Sequence, residues 1–423
     1  MGARSRRCCL KRPTVIPKRS NVPTAVLEDE RLLAALEAAI IEQFGMLRRT
    51  VQKNLAVLTL GFLRLLGAAR GGAGHLSLAA LGRVLPTLGT PHAREKRLAR
   101  VLVNPRLDPR GVTNGLARVI AGRRRPGLWP LLVDQTGAGN TQALVAGVPF
   151  AGRVLPLALY TFDYPWQEPT APSQNALEEL FLLDVETALP RGVRPVWIGD
   201  RGYGRAALLR ACATQRRLYV LRGRAGTCVT WHGRRLKLGE LPVVPRRAVR
   251  YREVSYQART RVLVDVVVVH DPTFAEPWYL LVPPAREAVL PTRTVVRLYR
   301  ERMQVEQAFR DFKTHLGLRG LHLKVRVAER LGRLLLAFCL AYCLAIVLGD
   351  SPTGARTRWA FEIRRRRPRH GTRRTLSVLS IAMLMLMHPR WRRHAHRCLA
   401  GLAARLARGR PLLTRAPPVA VGV

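Results

Sequence analysis

Apolar positions along this chain recur first with helical and then with strand spacing. From about residue 25 to 125 they return every three or four residues, as in ERLLAALEAAIIEQF and KNLAVLTLGFLRLL, which predicts a series of amphipathic helices. After a Gly-rich turn at Gly71–Gly74, HLSLAALGRVLPTLGT and HAREKRLARVLVNPRLD predict shorter helices divided by Gly89 and Pro91. Short, wholly apolar runs follow. Trp129–Val133 and Pro195–Ile198 have the composition of strands buried on both faces. Gln142–Tyr160 supplies two more strands, and Ser173–Leu189 reads as a crossover helix leading to the Pro195 strand. At about residues 223–290 Val alternates with polar and basic residues (RAVRYREVSYQARTRVLVDVVVVH), as in a twisted antiparallel sheet. Helices, then a strand–helix core with a β-rich interruption, make the chain α/β with a helical N-terminal part.

Within this frame, Tyr299–Lys313 (YRERMQVEQAFRDFK) is the most informative stretch. It contains no Gly or Pro and is made mostly of good helix formers. At about 100° per residue, Tyr299, Arg302, Glu306 and Lys313 fall at roughly 0°, −60°, −20° and −40°, on one narrow stripe. Leu298, Val305, Phe309, Phe312 and Leu316 fall at roughly 220° to 280°, a flanking apolar stripe. One side is fit to bury and its neighbour to line a cleft. Glu301 and Asp311 point elsewhere, so the wheel selects Glu306 as the acid facing the cleft. A plain surface helix with i,i+4 pairs such as Arg302–Glu306 gives the same spacing.

Two aspartates change the balance. Asp134 closes LWPLLVDQT and Asp200 follows RPVWIG, each where an apolar strand is expected to end. Gly199 and Gly202 let the backbone turn sharply around Asp200. Either alone reads as a turn or cap residue. With Glu306 they make three carboxylates, which repel one another unless a cation sits among them. Oxygen ligands without His or Cys favour Mg2+ or Mn2+, and two such ions about 4 Å apart clamp the attacking and leaving oxygens of a phosphodiester displacement. Arg302 and Lys313, on the same stripe, are placed to hold phosphates beside them.

The spacing Y-(2)-R-(3)-E-(6)-K formed by Tyr299, Arg302, Glu306 and Lys313 resembles the signature of the group-four DDE insertion-sequence transposases. IGDRGYG around Asp200 resembles that family's second-acid motif and VDQT around Asp134 its first. The resemblance spans roughly residues 126–350. It implies an RNase H-like catalytic domain whose sheet order matches strand–strand–strand–helix–strand, with a β-rich insertion at about 223–290. It implies that Asp134, Asp200 and Glu306 are the catalytic acids and hold two Mg2+ or Mn2+ ions, while Tyr299, Arg302 and Lys313 bind DNA. The expected activity is cleavage at transposon ends and joining of the 3′-hydroxyl to target DNA. Trp278, near the end of the insertion in EPWYLLVPP, stands where such proteins can carry a tryptophan that stacks on a flipped base; a core tryptophan at a strand end fits the sequence equally. A metal-dependent nuclease on the same fold and a silent DNA-binding remnant stay open as alternatives.

Composition points the same way. Lys and Arg number 72 against 27 acids, a net charge of +45, which calls for a polyanionic partner; the resemblance makes double-stranded DNA the expected one. The short helices before Pro105, with Arg94, Lys96, Arg97 and Arg100 on the last, suit a helix-turn-helix reading DNA ends or a plain bundle with solvated charges. Residues 1–24 are a basic tail without the apolar core of a signal peptide. Residues 351–423 are an arginine-rich helical region or tail with Glu362 as its one acid. Leu334–Gly349 is an apolar run of 16 residues, short of the roughly 20 needed to span a bilayer. It is expected to be a core helix, as is Leu376–Met387, and no membrane is expected. Seven cysteines make no disulfide framework; Cys339 and Cys343 fall inside the apolar helix, and a reducing cytoplasm fits. There is no Walker A sequence, and Gly137-Ala138-Gly139 lacks the rest of a dinucleotide fingerprint. Cutting and joining two ends implies a synaptic homodimer.

Overall fold

The structure, a computed structural model, describes residues 24–68, 77–85, 89–138, 140–166, 171–257, 261–272, 274–314, 327–362 and 376–414. Helices α1 (Thr24–Gln43), α2 (Arg49–Ala68), α3 (Leu78–Val84), α4 (Pro91–Val103) and α5 (Thr113–Ala121) come first. Ser77 and Thr90 begin α3 and α4 by accepting the N–H groups of Ala80 and Ala93. Strands β1 (Arg124–Ala138), β2 (Thr141–Phe150) and β3 (Arg153–Asp163) form an antiparallel meander. Helix α6 (Gln174–Ala188) then crosses over to β4 (Arg191–Gly199), and α7 (Ala206–Thr214) to β5 (Leu218–Arg222). Because each of these connections contains a helix, β4 and β5 run parallel to β1. This mixed sheet flanked by helices is an RNase H-like α/β arrangement.

The β-rich stretch consists of β6 (Cys228–Trp231), β7 (Arg234–Lys237), β8 (Val249–Tyr256), β9 (Val262–Val269) and β10 (Trp278–Val282). It does not stand apart. β10 pairs with β5, so one ten-stranded sheet runs β3-β2-β1-β4-β5-β10-β9-β8-β6-β7. Its valines pack below, while the β6–β7 hairpin leaves Arg234, Arg235 and Lys237 exposed at the free edge.

The predicted catalytic helix is interrupted. α8 (Thr292–Glu301) and α9 (Met303–Thr314) meet at Arg302. There Arg302 N–H reaches Tyr299 O at 3.1 Å and Val305 N–H reaches Arg302 O at 3.0 Å, the tight i→i+3 bonds of a 3-10 turn. Arg302 nevertheless keeps right-handed helical backbone angles, and its i,i+4 pair with Glu306 forms as on a continuous wheel. Val305, Phe309 and Phe312 are buried as expected, whereas Leu316 lies outside the described residues.

Beyond this, α10 (Ala328–Asp350) runs under β3 and against α2. It is long and apolar enough to cross a membrane, yet 94% of its most apolar window is buried inside the protein, and Cys339 and Cys343 are in that interior. α11 (Pro352–Phe361), α12 (Val378–Met387) and α13 (Pro389–Ala407) return to the N-terminal helices. α13 lies along α1 in the same direction: Arg393 meets Glu28 at 3.5 Å, and Gln43 Nε2 donates to Leu406 O at 2.7 Å. The chain after it donates from Leu412 and Leu413 N–H to the carbonyls of Val119 and Ile120 at the end of α5. The first and last helices thus form one bundle around α10.

The α10–α12 crossing is tight enough to test. A Cβ built on Gly349 would lie 1.8 Å from the carbonyl oxygen of Val378. Gly349→Ala gains about 1 kcal/mol of helix propensity, but relieving that overlap requires backbone movement costing about 1–3 kcal/mol or more. Net destabilisation is expected, read as a lowered midpoint in urea denaturation. A midpoint at or above wild type would mean the helices are free to part.

Candidate active site

Asp134 sits inside β1 and not at its end. Parallel pairing with β4 stops at Leu132–Ile198, while pairing with β2 continues through Asp134–Val145 to Ala138–Thr141. Asp134 therefore emerges just past the carboxyl end of the parallel strands, where open α/β sheets place their sites. Asp200 follows β4 directly at the same edge, its Oδ1 accepting the N–H of Gly202 at 2.7 Å and its carbonyl the N–H of Tyr203.

Arg302 joins the edge to the helices. Its guanidinium lies 3.7 Å from Asp134 Oδ2 and is hydrogen-bonded to Glu306 Oε1, so the first and third acids share one cation. The ordinary i,i+4 pair is present, and it is also half of a long-range bridge. Burial raises the Asp134 carboxyl to about 6; the Gln135 N–H, 2.8 Å from Oδ1, and Arg302 pull against that, while the charges of Asp200 and Glu306 add to it. Asp134 is therefore within electrostatic reach of both other acids. Burial opposes the charge of Arg302 too, but Tyr299, Glu306 and Asp134 hold its pKa above the usual value.

Among the described residues, no three His, Cys, Asp or Glu side chains stand close enough to share one metal ion in this arrangement. The donor chemistry nevertheless fits a hard divalent ion: carboxylate oxygens in excess, one of them desolvated, with a positive guanidinium already between two of them. Glu306 is half-exposed, with 45% of its side chain accessible, so the third acid keeps room to turn.

The other predicted residues are distributed unevenly. Lys313 is partly buried near the end of α9. Tyr299 is 3% exposed and Trp278 5%, and their rings meet edge to face at 5.0 Å, with Phe274 on the far side of Trp278 at 4.6 Å. Both aromatics are packed against each other in this state. Beside them Arg201 and Arg222 approach Glu276 at 3.3 and 3.4 Å. Asp311, which the wheel turned away from the cleft, is buried and held by Arg153 and by Tyr342 Oη at 3.0 Å. Arg94 and Arg97 of α4 serve the bundle, donating to Leu85 O at 2.8 Å and to Asn54 Oδ1 at 2.9 Å, whereas Lys96 and Arg100 are exposed.

Sequence reading missed Glu178 and Arg205. Glu178 on α6 is 4% exposed and ion-paired with Arg205; burial, with the charge of Asp200 adding to it, raises its pKa against the pull of Arg205, and its own charge acts on Tyr203. The one available signal was an acid at a position of α6 that faces the sheet.

No curated protein matches the chain. A family model does: residues 169–344, running from just before α6 into α10 and including Asp200, Trp278, Tyr299, Arg302, Glu306 and Lys313, match the family described as Transposase DDE domain.

Proposed function

We propose that the protein is a DNA transposase of the DDE type, group four, which cleaves at its transposon's ends and joins the freed 3′-hydroxyl to target DNA. The observation that carries this reading is the meeting of Asp134 and Glu306, remote in sequence, at one guanidinium on the sheet edge where Asp200 also emerges. Asp134, Asp200 and Glu306 would hold Mg2+ or Mn2+. When bound, two such ions activate the attacking water or hydroxyl and stabilise the departing oxygen. Arg302 and Lys313 would engage the phosphates, Arg302 exchanging its carboxylate partners for phosphate oxygens. Tyr299 and Trp278 reach DNA only if their mutual stack opens, which makes base extrusion a step that follows DNA binding. Lys96 and Arg100 of α4, both exposed, would contact the DNA ends. The working form is a homodimer pairing two ends, acting in the cytoplasm at the nucleoid.

The test is incubation with DNA carrying the gene's own flanking segments and Mg2+ or Mn2+, scored for nicking at defined ends and for joined product. Cleavage without joining would replace this reading with a nuclease. Binding without cleavage would leave a DNA-binding remnant. Binding should also weaken about 10³-fold or more between about 50 and 200 mM salt, the response of a protein contacting six to ten phosphates. An affinity flat across that range in filter binding would remove the electrostatic part of the proposal.

A further inference from the structure

Glu178 is linked to both segments that carry the aspartates, to β1 through Gln174 and to the turn after β4 through Arg205. Toward β1, Gln174 Nε2 donates to Glu178 Oε1 at 2.9 Å and to Gln135 Oε1 at 2.8 Å. Gln135 is held from its other side through its Nε2, 3.2 Å from Gln142 Oε1, and its N–H supports Asp134 Oδ1 at 2.8 Å. Toward β4, Glu178 Oε2 accepts from Arg205 Nη2. Arg205 ends the turn that begins at Asp200, its own N–H bonded to Tyr203 O at 2.8 Å, and its Nη1 donates to Asn175, one turn before Glu178 on α6. Tyr203, 5% exposed with an unpartnered hydroxyl, lies within reach of the charges of Glu178, Asp134 and Asp200. A buried ion pair contributes little net stability compared with an apolar replacement. This one is also the sole described carboxylate that connects the two acid-bearing segments through side-chain hydrogen bonds.

We propose that Glu178 is a positioning residue that fixes Asp134, through Gln174 and Gln135, relative to Asp200, through Arg205. This rests on the reading of those acids as metal ligands. Partners one step behind a metal ligand typically change metal affinity 10- to 100-fold when removed. A carboxylate with a hydrogen-bonded arm to each loop keeps the spacing of two ligands that sit on different strands. The amide of Glu178→Gln still reaches Gln174 but meets Arg205 without charge, so the β4 arm loosens first.

The experiment measures Mn2+ binding by the full chain with end DNA, using electron paramagnetic resonance of free Mn2+, alongside cleavage and thermal unfolding. Glu178→Gln is expected to weaken Mn2+ binding about tenfold and to raise the Mg2+ needed for half-maximal cleavage, with DNA affinity unchanged. Gln135→Ala, which leaves the Glu178–Arg205 pair whole, should lower Mn2+ affinity similarly, and the double variant should lose less than the two effects multiplied. Should Glu178→Gln fail to fold, Gln135→Ala alone decides. Wild-type Mn2+ affinity in a folded Glu178→Gln or Gln135→Ala protein would overturn the proposal. Cleavage surviving in Glu306→Gln would instead overturn the metal-site reading beneath it, whatever Glu178 does.

Discussion

Glu306→Gln is expected to reduce metal-dependent cleavage of the end DNA about a thousandfold, equivalent to roughly 4 kcal/mol of barrier. The amide preserves the shape of the side chain and can still accept from Arg302, but it offers a cation no negative charge. The Glu306 side chain is 45% exposed, and the buried Arg302 keeps Asp134 as a counter-charge at 3.7 Å. Losing a partly solvated ion pair costs about 0–1 kcal/mol, so the protein should fold and melt almost as wild type. DNA affinity should hold or rise slightly, since one negative charge leaves a surface that meets phosphates. The decisive comparison is nicking at the gene-flanking ends against fluorescence anisotropy of the same DNA. Equal cleavage by the two proteins would remove Glu306 from the site and the three-acid reading with it.

Arg302→Ala should move two observables in opposite directions. In the DNA-free protein the guanidinium sits between Asp134 and Glu306, where it competes with any other cation. Two unit charges 4 Å apart interact by about 4 kcal/mol at an effective dielectric of 20, so even a third of that returned to an incoming ion is about tenfold in affinity. Mn2+ binding without DNA is therefore expected to tighten by about tenfold or more. Cleavage should nevertheless fall about a hundredfold or more, because a preorganised donor to the reacting phosphate has gone. Mn2+ affinity unchanged by the substitution would show that Arg302 does not guard the acids. Arg302→Lys separates charge from geometry: it should keep Mn2+ affinity near wild type while losing cleavage, as a single ammonium cannot span two acceptors as the planar fork does.

Much of this site was legible because its residues sit at positions with local signals. Asp134 and Asp200 adjoin apolar runs, and helical spacing singled out Glu306 and Arg302. The core helix was likewise legible at Leu334–Gly349, where length and apolarity coincide. The break at Arg302 was not legible, since no Gly or Pro marks it, and neither was the pairing of Arg302 with Asp134, which is remote in sequence. The same limit hid Glu178, whose partners come from the Asp134 strand and the turn after Asp200, and Asp311, whose partner Arg153 is on β3. Arg94 and Arg97 carry the same composition signal as Lys96 and Arg100, so only packing separates the arginines that serve the bundle from the cations left on the surface. That the β-rich stretch continues the catalytic sheet depends on β10 meeting β5, a long-range pairing with no local mark.

The parallel alignment of α13 with α1, and the hook of Leu412 and Leu413 onto the end of α5, bear on what a shortened chain could do. Here a stop before α13 would remove the helix that lies along α1 and leave the end of α5 without its cap, next to the strand that bears Asp134. Such a fragment is expected to lose the stability of the helical bundle. Late nonsense mutations in this gene should therefore behave as simple losses.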